Sequence, residues 1–181
     1  MKMNLHKKIA FSLLTAALMA SSSFALDTSK AYGAASVALE SANGYDSGFA
    51  IILGGGLPVV EAGKVGPGTI AVEAELTYSL VSPSVGQWEK TAMTVAAYGA
   101  YIFDIDKQFF VKPRAGLVYR SYSYTWGASS WGGSGSTSDI GIALGVQGGY
   151  KLNKQLDIIV GYNLLDGTDL THLSAGVQYH F

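Results

Sequence analysis

Ser174-Ala175-Gly176-Val177-Gln178-Tyr179-His180-Phe181 closes this 181-residue chain, and its reading decides the fold. With Leu173 in front, Leu173, Ala175, Val177, Tyr179 and Phe181 are apolar and share one face of a β-strand. His172, Ser174, Gly176, Gln178 and His180 are polar or small and share the other, because successive side chains in a strand point to opposite sides. The strand ends on an aromatic ring.

A polar residue, a glycine, and two aromatic residues at these spacings resemble the C-terminal assembly signal of bacterial outer-membrane β-barrels. Ser174, Gly176, Tyr179 and Phe181 fill the four places. The resemblance implies that the barrel-assembly machinery is a partner and reads the chain through Gly176, Tyr179 and Phe181.

The opposite end reads as a secretory signal peptide over residues 1–25. Lys2, His6, Lys7 and Lys8 form a basic start, Ile9 to Ala20 form an apolar core, and small residues precede a cleavage point after Ala25. An apolar run of about 12 residues is short of the roughly 20 that a membrane-spanning helix needs. The domain expected is therefore residues 26–181. The chain has no cysteine, which excludes a lipoprotein anchor and a disulfide framework. Of its 12 Lys and Arg, Lys2, Lys7 and Lys8 leave with the signal, while all 13 Asp and Glu remain. That acidic balance argues against a nucleic-acid partner. The 23 glycines and 11 tyrosines, with only 14% charged residues, suit a barrel with a crowded lumen and aromatic rims.

Period-two alternation punctuated by turn residues predicts eight strands: Ala31–Glu40, Gly48–Leu57, Thr69–Leu80, Thr91–Phe103, Phe109–Tyr124, Ile140–Leu152, Leu156–Leu164 and Thr171–Phe181. In the third, Ile70, Val72, Leu76, Tyr78 and Leu80 oppose Glu73, Glu75, Thr77 and Ser79. In the fifth, Phe109, Val111, Leu117 and Tyr119 oppose Lys112, Arg114, Gly116 and Arg120. Alternation alone fits a soluble lipocalin-like calyx as well as a membrane barrel. The calyx would crowd Ile, Leu, Val and Tyr inside a narrow bore and coat its exterior with Gly and Ala. Reversed, the small residues relieve crowding in an eight-stranded lumen that side chains just fill. Phe103, Phe109, Tyr150, Tyr179 and Phe181 fall near one end of the strands, and Tyr78, Tyr119 and Tyr162 toward the other, as two interfacial girdles require.

The expected fold is thus all-β: an eight-stranded antiparallel up-and-down transmembrane barrel after a cleaved signal peptide. It resembles the small outer-membrane barrels typified by the OmpA transmembrane domain and the opacity-type surface proteins, over essentially all of residues 26–181. That resemblance implies an outer-membrane location, contact with outer-membrane lipid, a monomer, and no enzymatic activity. Tight connections at Asp104–Gln108 and Asn153–Gln155 are expected on the periplasmic side, and Val81–Lys90 and Gly127–Asp139 outside. The connection Pro58–Gly68 is long for a periplasmic turn, so the first hairpin is the weak point of this topology.

Candidate chemistry is sparse. His172-Leu173-Ser174 resembles the His-x-Ser pair of outer-membrane lipid A deacylases, but Ala175 replaces their Asn and no acidic residue follows in the chain. His172 and His180 lie about 26 Å apart on one strand, too far to share a metal. No catalytic, metal or cofactor site is expected. One constellation stands out: Glu73, Glu75, Lys112, Arg114 and Arg120 all face the lumen, with Glu40 a further candidate. Charge in a narrow lumen must pair, so these residues read as an ion-pair plug or, alternatively, a charged constriction of a small pore. Gly127–Ser138, flanked by Trp126 and containing Trp131, reads as a flexible outward loop able to meet a surface ligand. The function expected is a non-enzymatic outer-membrane protein serving envelope structure or surface contact. The alternatives are a narrow solute channel, a membrane-embedded lipid A-modifying enzyme and a soluble periplasmic binder.

Overall fold

The alternation builds a closed wall. In the computed structural model, which describes residues 28–126, 133–166 and 169–181, a 3-10 turn at Thr28–Lys30 leads into β1 (Tyr32–Ala42), β2 (Gly48–Val60) and β3 (Thr69–Val81). There follow β4 (Ser84–Val85), β5 (Trp88–Asp104), β6 (Phe109–Trp126), β7 (Gly133–Lys151), β8 (Leu156–Leu165) and β9 (Leu170–His180). Each long strand pairs antiparallel with its chain neighbours, β3 pairs with β5, and β1 pairs with β9 from Tyr32↔His180 to Ala42↔Leu170. The eight long strands therefore form an up-and-down barrel with no free edge along its wall, which is how an antiparallel sheet satisfies all its backbone groups. The signal-peptide expectation falls on residues 1–25, outside the described residues.

The two faces sort as the period of two demands. Leu117, Ile140 and Ile142 point outward and are 60–70% exposed, with Val37, Leu80, Val160 and Leu173 among many like them. A continuous apolar exterior on this scale is foreign to a soluble monomer, whose exposed patches stay within a few hundred Å². Inside are Glu40, Lys112, Arg120, Asp157, Asn163 and His172, each 2% exposed or less. Toward the ends not joined to the termini, Val118, Leu165, Leu170, Tyr98 and Tyr122 add an apolar layer to the lumen, so the interior is less uniformly polar than the alternation suggests.

The barrel has a turn end, carrying both described termini and the connections 105–108 and 152–155, and a loop end carrying 43–47, 82–87 and the β6–β7 and β8–β9 connections. At the turn end the Asp106 carboxylate accepts the backbone N–H groups of Gln108 (2.7 Å) and Phe109 (2.8 Å), which holds its carboxyl below the usual range and fixes the tight turn. Aromatic rings gather there too: Phe109 lies 5.1 Å from Tyr150 and Tyr179 5.4 Å from Phe181. The Phe181 N–H reaches the Ala31 carbonyl at 3.0 Å, one residue beyond the β9 ladder.

Three expectations need correction. The first connection is shorter than read, because Pro58, Val59 and Val60 continue β2 and the turn spans residues 61–68. A ninth element, β4, sits within the third connection and pairs only with β5. The largest change is at the loop end. Gly133–Ser138, read as a flexible loop, is strand and pairs residue for residue with β6 from Trp126↔Gly133 to Ser121↔Ser138. The Gly-Ser composition hid it: these residues have weak strand propensity, but the register set farther down the hairpin carries them along. Trp126 ends β6 and is not in a loop, and Trp131 lies outside the described residues.

Candidate functional site

The register places acids and bases opposite one another across the bore. Glu73 and Glu75 project inward from β3, and Lys112 and Arg114 from β6; each side chain is 7% exposed or less. Lys112 Nζ lies 2.5 Å from Glu73 Oε1 and donates to Gln178 Oε1 at 3.2 Å. Arg114 donates to Glu75 Oε2 at 2.7 Å and Glu73 Oε2 at 3.3 Å, with further bonds to Asn163 Oδ1 at 2.8 and 3.2 Å. Two cations thus meet two anions, and the amide oxygens of Asn163 and Gln178 accept further donors. Aromatic rings frame the quartet: the Tyr32 hydroxyl donates a hydrogen bond to Glu73 Oε1 at 2.5 Å and its ring lies under Lys112, while Tyr98 lies 4.4 Å from the Arg114 guanidinium. Buried charges pair in this way because an uncompensated one is costly.

Small residues make room for these large ones. A Cβ on Gly145 would sit 2.2 Å from Asn163 Oδ1 and 3.2 Å from Arg114 Nε. One on Gly56 would meet the Tyr32 ring at 2.4 Å. The cavity left beside the quartet, lined by Ser36, Gly54, Gln147 and Ser174 among others, is about 20 Å³, room for a single water.

Arg120 does not join this group. It lies near the loop end, 2% exposed, and bonds Asp139 at 2.5 and 3.1 Å and Asp166 at 2.6 Å. Asp139 is directly opposite on β7, which was open to inspection once the β6–β7 hairpin was read to its full length. Glu40 forms a third group. Its carboxylate accepts the Ser79 hydroxyl at 2.7 Å and lies 3.2 Å from His172 Nε2, all three nearly or fully buried.

That third group supplies His172 with the acidic neighbour missing from its own strand, yet it lacks the geometry of a nucleophile–base pair. The Ser79 hydroxyl donates to the carboxylate and not to the imidazole, and Ser174 donates to the Gly161 carbonyl at 3.3 Å. Activation requires the hydroxyl on the base. His180 pairs with Asp157 at 2.7 Å near the turn end. Among the described residues no three His, Cys, Asp or Glu side chains are grouped to hold a metal ion.

Tyr32, Asn163 and Gln178 were missed as members of the interior network, and so was the pairing of the candidate Glu40 with His172. Their inward phase is visible in the alternation of β1, β8 and β9, but nothing in sequence says which inward residues share a level of the bore. Of the residues expected to form an assembly signal, Gly176 is held by packing: an added Cβ would lie 2.2 Å from the Ala35 carbonyl oxygen of β1. Tyr179 and Phe181 point outward, 43% and 72% exposed.

The fold is that of small outer-membrane barrels. A major outer-membrane protein of Thermus thermophilus aligns with a TM-score of 0.58 at 12% identity, over 83% of this chain and 99% of its own. Neisserial surface protein A gives 0.54 at 21% identity, over 83% and 96%. Ail, the attachment invasion locus protein of Yersinia pestis, gives 0.51 at 12% identity, over 83% and 97%. No sequence-family description and no curated protein matches the chain. At these identities the likeness is one of architecture.

Proposed function

We propose that this chain is a non-enzymatic outer-membrane barrel with a closed lumen, whose loop end faces the outside of the cell and serves surface contact or envelope structure. The observation that carries the reading is the inversion of its faces: exposed Val, Leu, Ile and aromatic residues outside, and buried, mutually neutralised charge inside. Lipid accepts that exterior and water does not. A signal peptide cleaved after Ala25 delivers the chain, the assembly machinery reads Gly176, Tyr179 and Phe181, and the barrel works as a monomer. Two natural proteins of the same architecture are named for a cell-surface position or for attachment and invasion, which supports a role at the surface.

The cavity beside the quartet, about 20 Å³, has no room for a hydrated solute, which supports a closed lumen over the channel reading. Purified protein in planar bilayers is expected to show no steady single-channel conductance; large, stable openings refute the plug. Location and topology are tested on the cysteine-free chain. The variant Ser136→Cys should react with a membrane-impermeant maleimide on intact cells, and Asn153→Cys only after the envelope is permeabilised. Recovery of the protein in the soluble periplasm without detergent, or the reverse labelling pattern, overturns the assignment.

A further inference from the structure

The β6–β7 hairpin stands above its neighbour. Pairing of β7 with β8 begins at Ala143↔Leu165, and the last bond on that side runs from the Asp166 N–H to the Ile142 carbonyl at 2.7 Å. Above it, Gly133–Gly141 pairs with β6 on one side only. A strand residue points its N–H and C=O the same way, and both alternate along the chain. The Ile142 carbonyl faces the β8 side, so Ser134, Ser136, Ser138 and Ile140 present theirs there as well. Among the described residues no backbone or side-chain group answers them. The row is about 30 Å long at 3.4 Å per residue.

Exposed edges are normally blunted by Lys, Pro or a bulge. This one has none: Gly133-Ser134-Gly135-Ser136-Thr137-Ser138 is small and uncharged, and the register to β6 runs without a shift. From these observations we propose that Gly133–Gly141 is a docking strand that takes an extended, basic segment of another polypeptide by strand addition. Small side chains leave the backbone row to supply the affinity. The charge of the segment follows from the rim. Asp46, Glu89, Asp139, Asp166 and Asp169 are exposed at the loop end. Among the described residues there, the cations against them are Arg120, already held by Asp139 and Asp166, and Lys90, whose ammonium is set among the Tyr45, Tyr122 and Tyr124 rings at 4.0–5.9 Å. A second copy in the same membrane cannot occupy the edge, because its own β7, continuing down into its barrel wall, would collide with β8 directly beneath. The occupant must approach from beyond the loop end. That direction rests on the outward orientation proposed above; the edge itself does not.

The test uses the full barrel in detergent micelles, where orientation plays no part, so its failure is separate from failure of the surface-labelling experiment. The probe is an end-blocked (Lys-Thr)4 peptide at millimolar concentration, read by amide hydrogen exchange. Ser134, Ser136, Ser138 and Ile140 are expected to exchange at least tenfold more slowly with the peptide, while Gly135 and Thr137, already bonded to β6, do not change. A (Lys-Thr)4 peptide N-methylated at every residue, which has no amide donors, and (Glu-Thr)4 should give no protection. Ser136→Pro removes a donor from the free edge without touching the β6 ladder and should abolish the effect. No protection by (Lys-Thr)4, or equal protection by (Glu-Thr)4 or the N-methylated peptide, overturns the proposal. So does protection that rises with protein concentration alone, which would assign the edge to a second copy in head-to-head contact.

Discussion

Replacing Arg114 with alanine isolates the energetics of the plug. Arg114 is the sole cation within ion-pair distance of Glu75 among the described residues, whereas Glu73 keeps Lys112 at 2.5 Å and the Tyr32 hydroxyl. The variant therefore leaves one carboxylate, 7% exposed, without a countercharge, and strips Asn163 Oδ1 of its donor. Breaking a buried pair from one side typically costs about 3–5 kcal/mol, or roughly two to nearly four powers of ten in the folding constant. Urea unfolding in lipid vesicles, followed by fluorescence of the three tryptophans, measures it. Adding Glu75→Gln to Arg114→Ala should restore much of the loss, because the orphaned charge is gone. In the double-mutant cycle the coupling is expected at about 2–3 kcal/mol. Additivity of the two changes within about 0.5 kcal/mol would show that the pair is not energetically linked and refute the reasoning.

Tyr32→Phe deletes one hydrogen bond to a buried carboxylate and should cost about 1.5–3 kcal/mol, read in the same unfolding experiment. Gly145→Val drives a side chain into Asn163 and the Arg114 guanidinium, so overpacking should cost about 1–3 kcal/mol; an unchanged midpoint would mean that the lumen has slack the geometry does not show. Deleting Phe181 removes a ring that is 72% exposed and one backbone bond to Ala31. The truncated protein should refold to a heat-modifiable barrel in detergent yet reach the outer membrane at strongly reduced levels in cells, and normal surface levels would rule out the assembly role.

The alternation in Leu173–Phe181 and in Thr69–Leu80 was enough to determine the strand state, the phase of each strand and hence which side chains turn inward. Side-chain direction has a period of two whatever the partner strand, so Glu73, Glu75, Lys112, Arg114 and Arg120 could be assigned to the lumen from the chain alone. What the chain could not state was which of them meet. That depends on the stagger of the strands around the closed barrel, a property of the whole sheet; it separates Arg120 from the quartet and brings Glu40 to His172 across the first and last strands. The height of the β6–β7 hairpin was likewise illegible, because Gly-Ser residues carry little strand preference of their own and become strand only through the register inherited from Phe109↔Tyr150 onward. Local periodicity determined the wall and its two faces; closure of the sheet decided the site and the free edge.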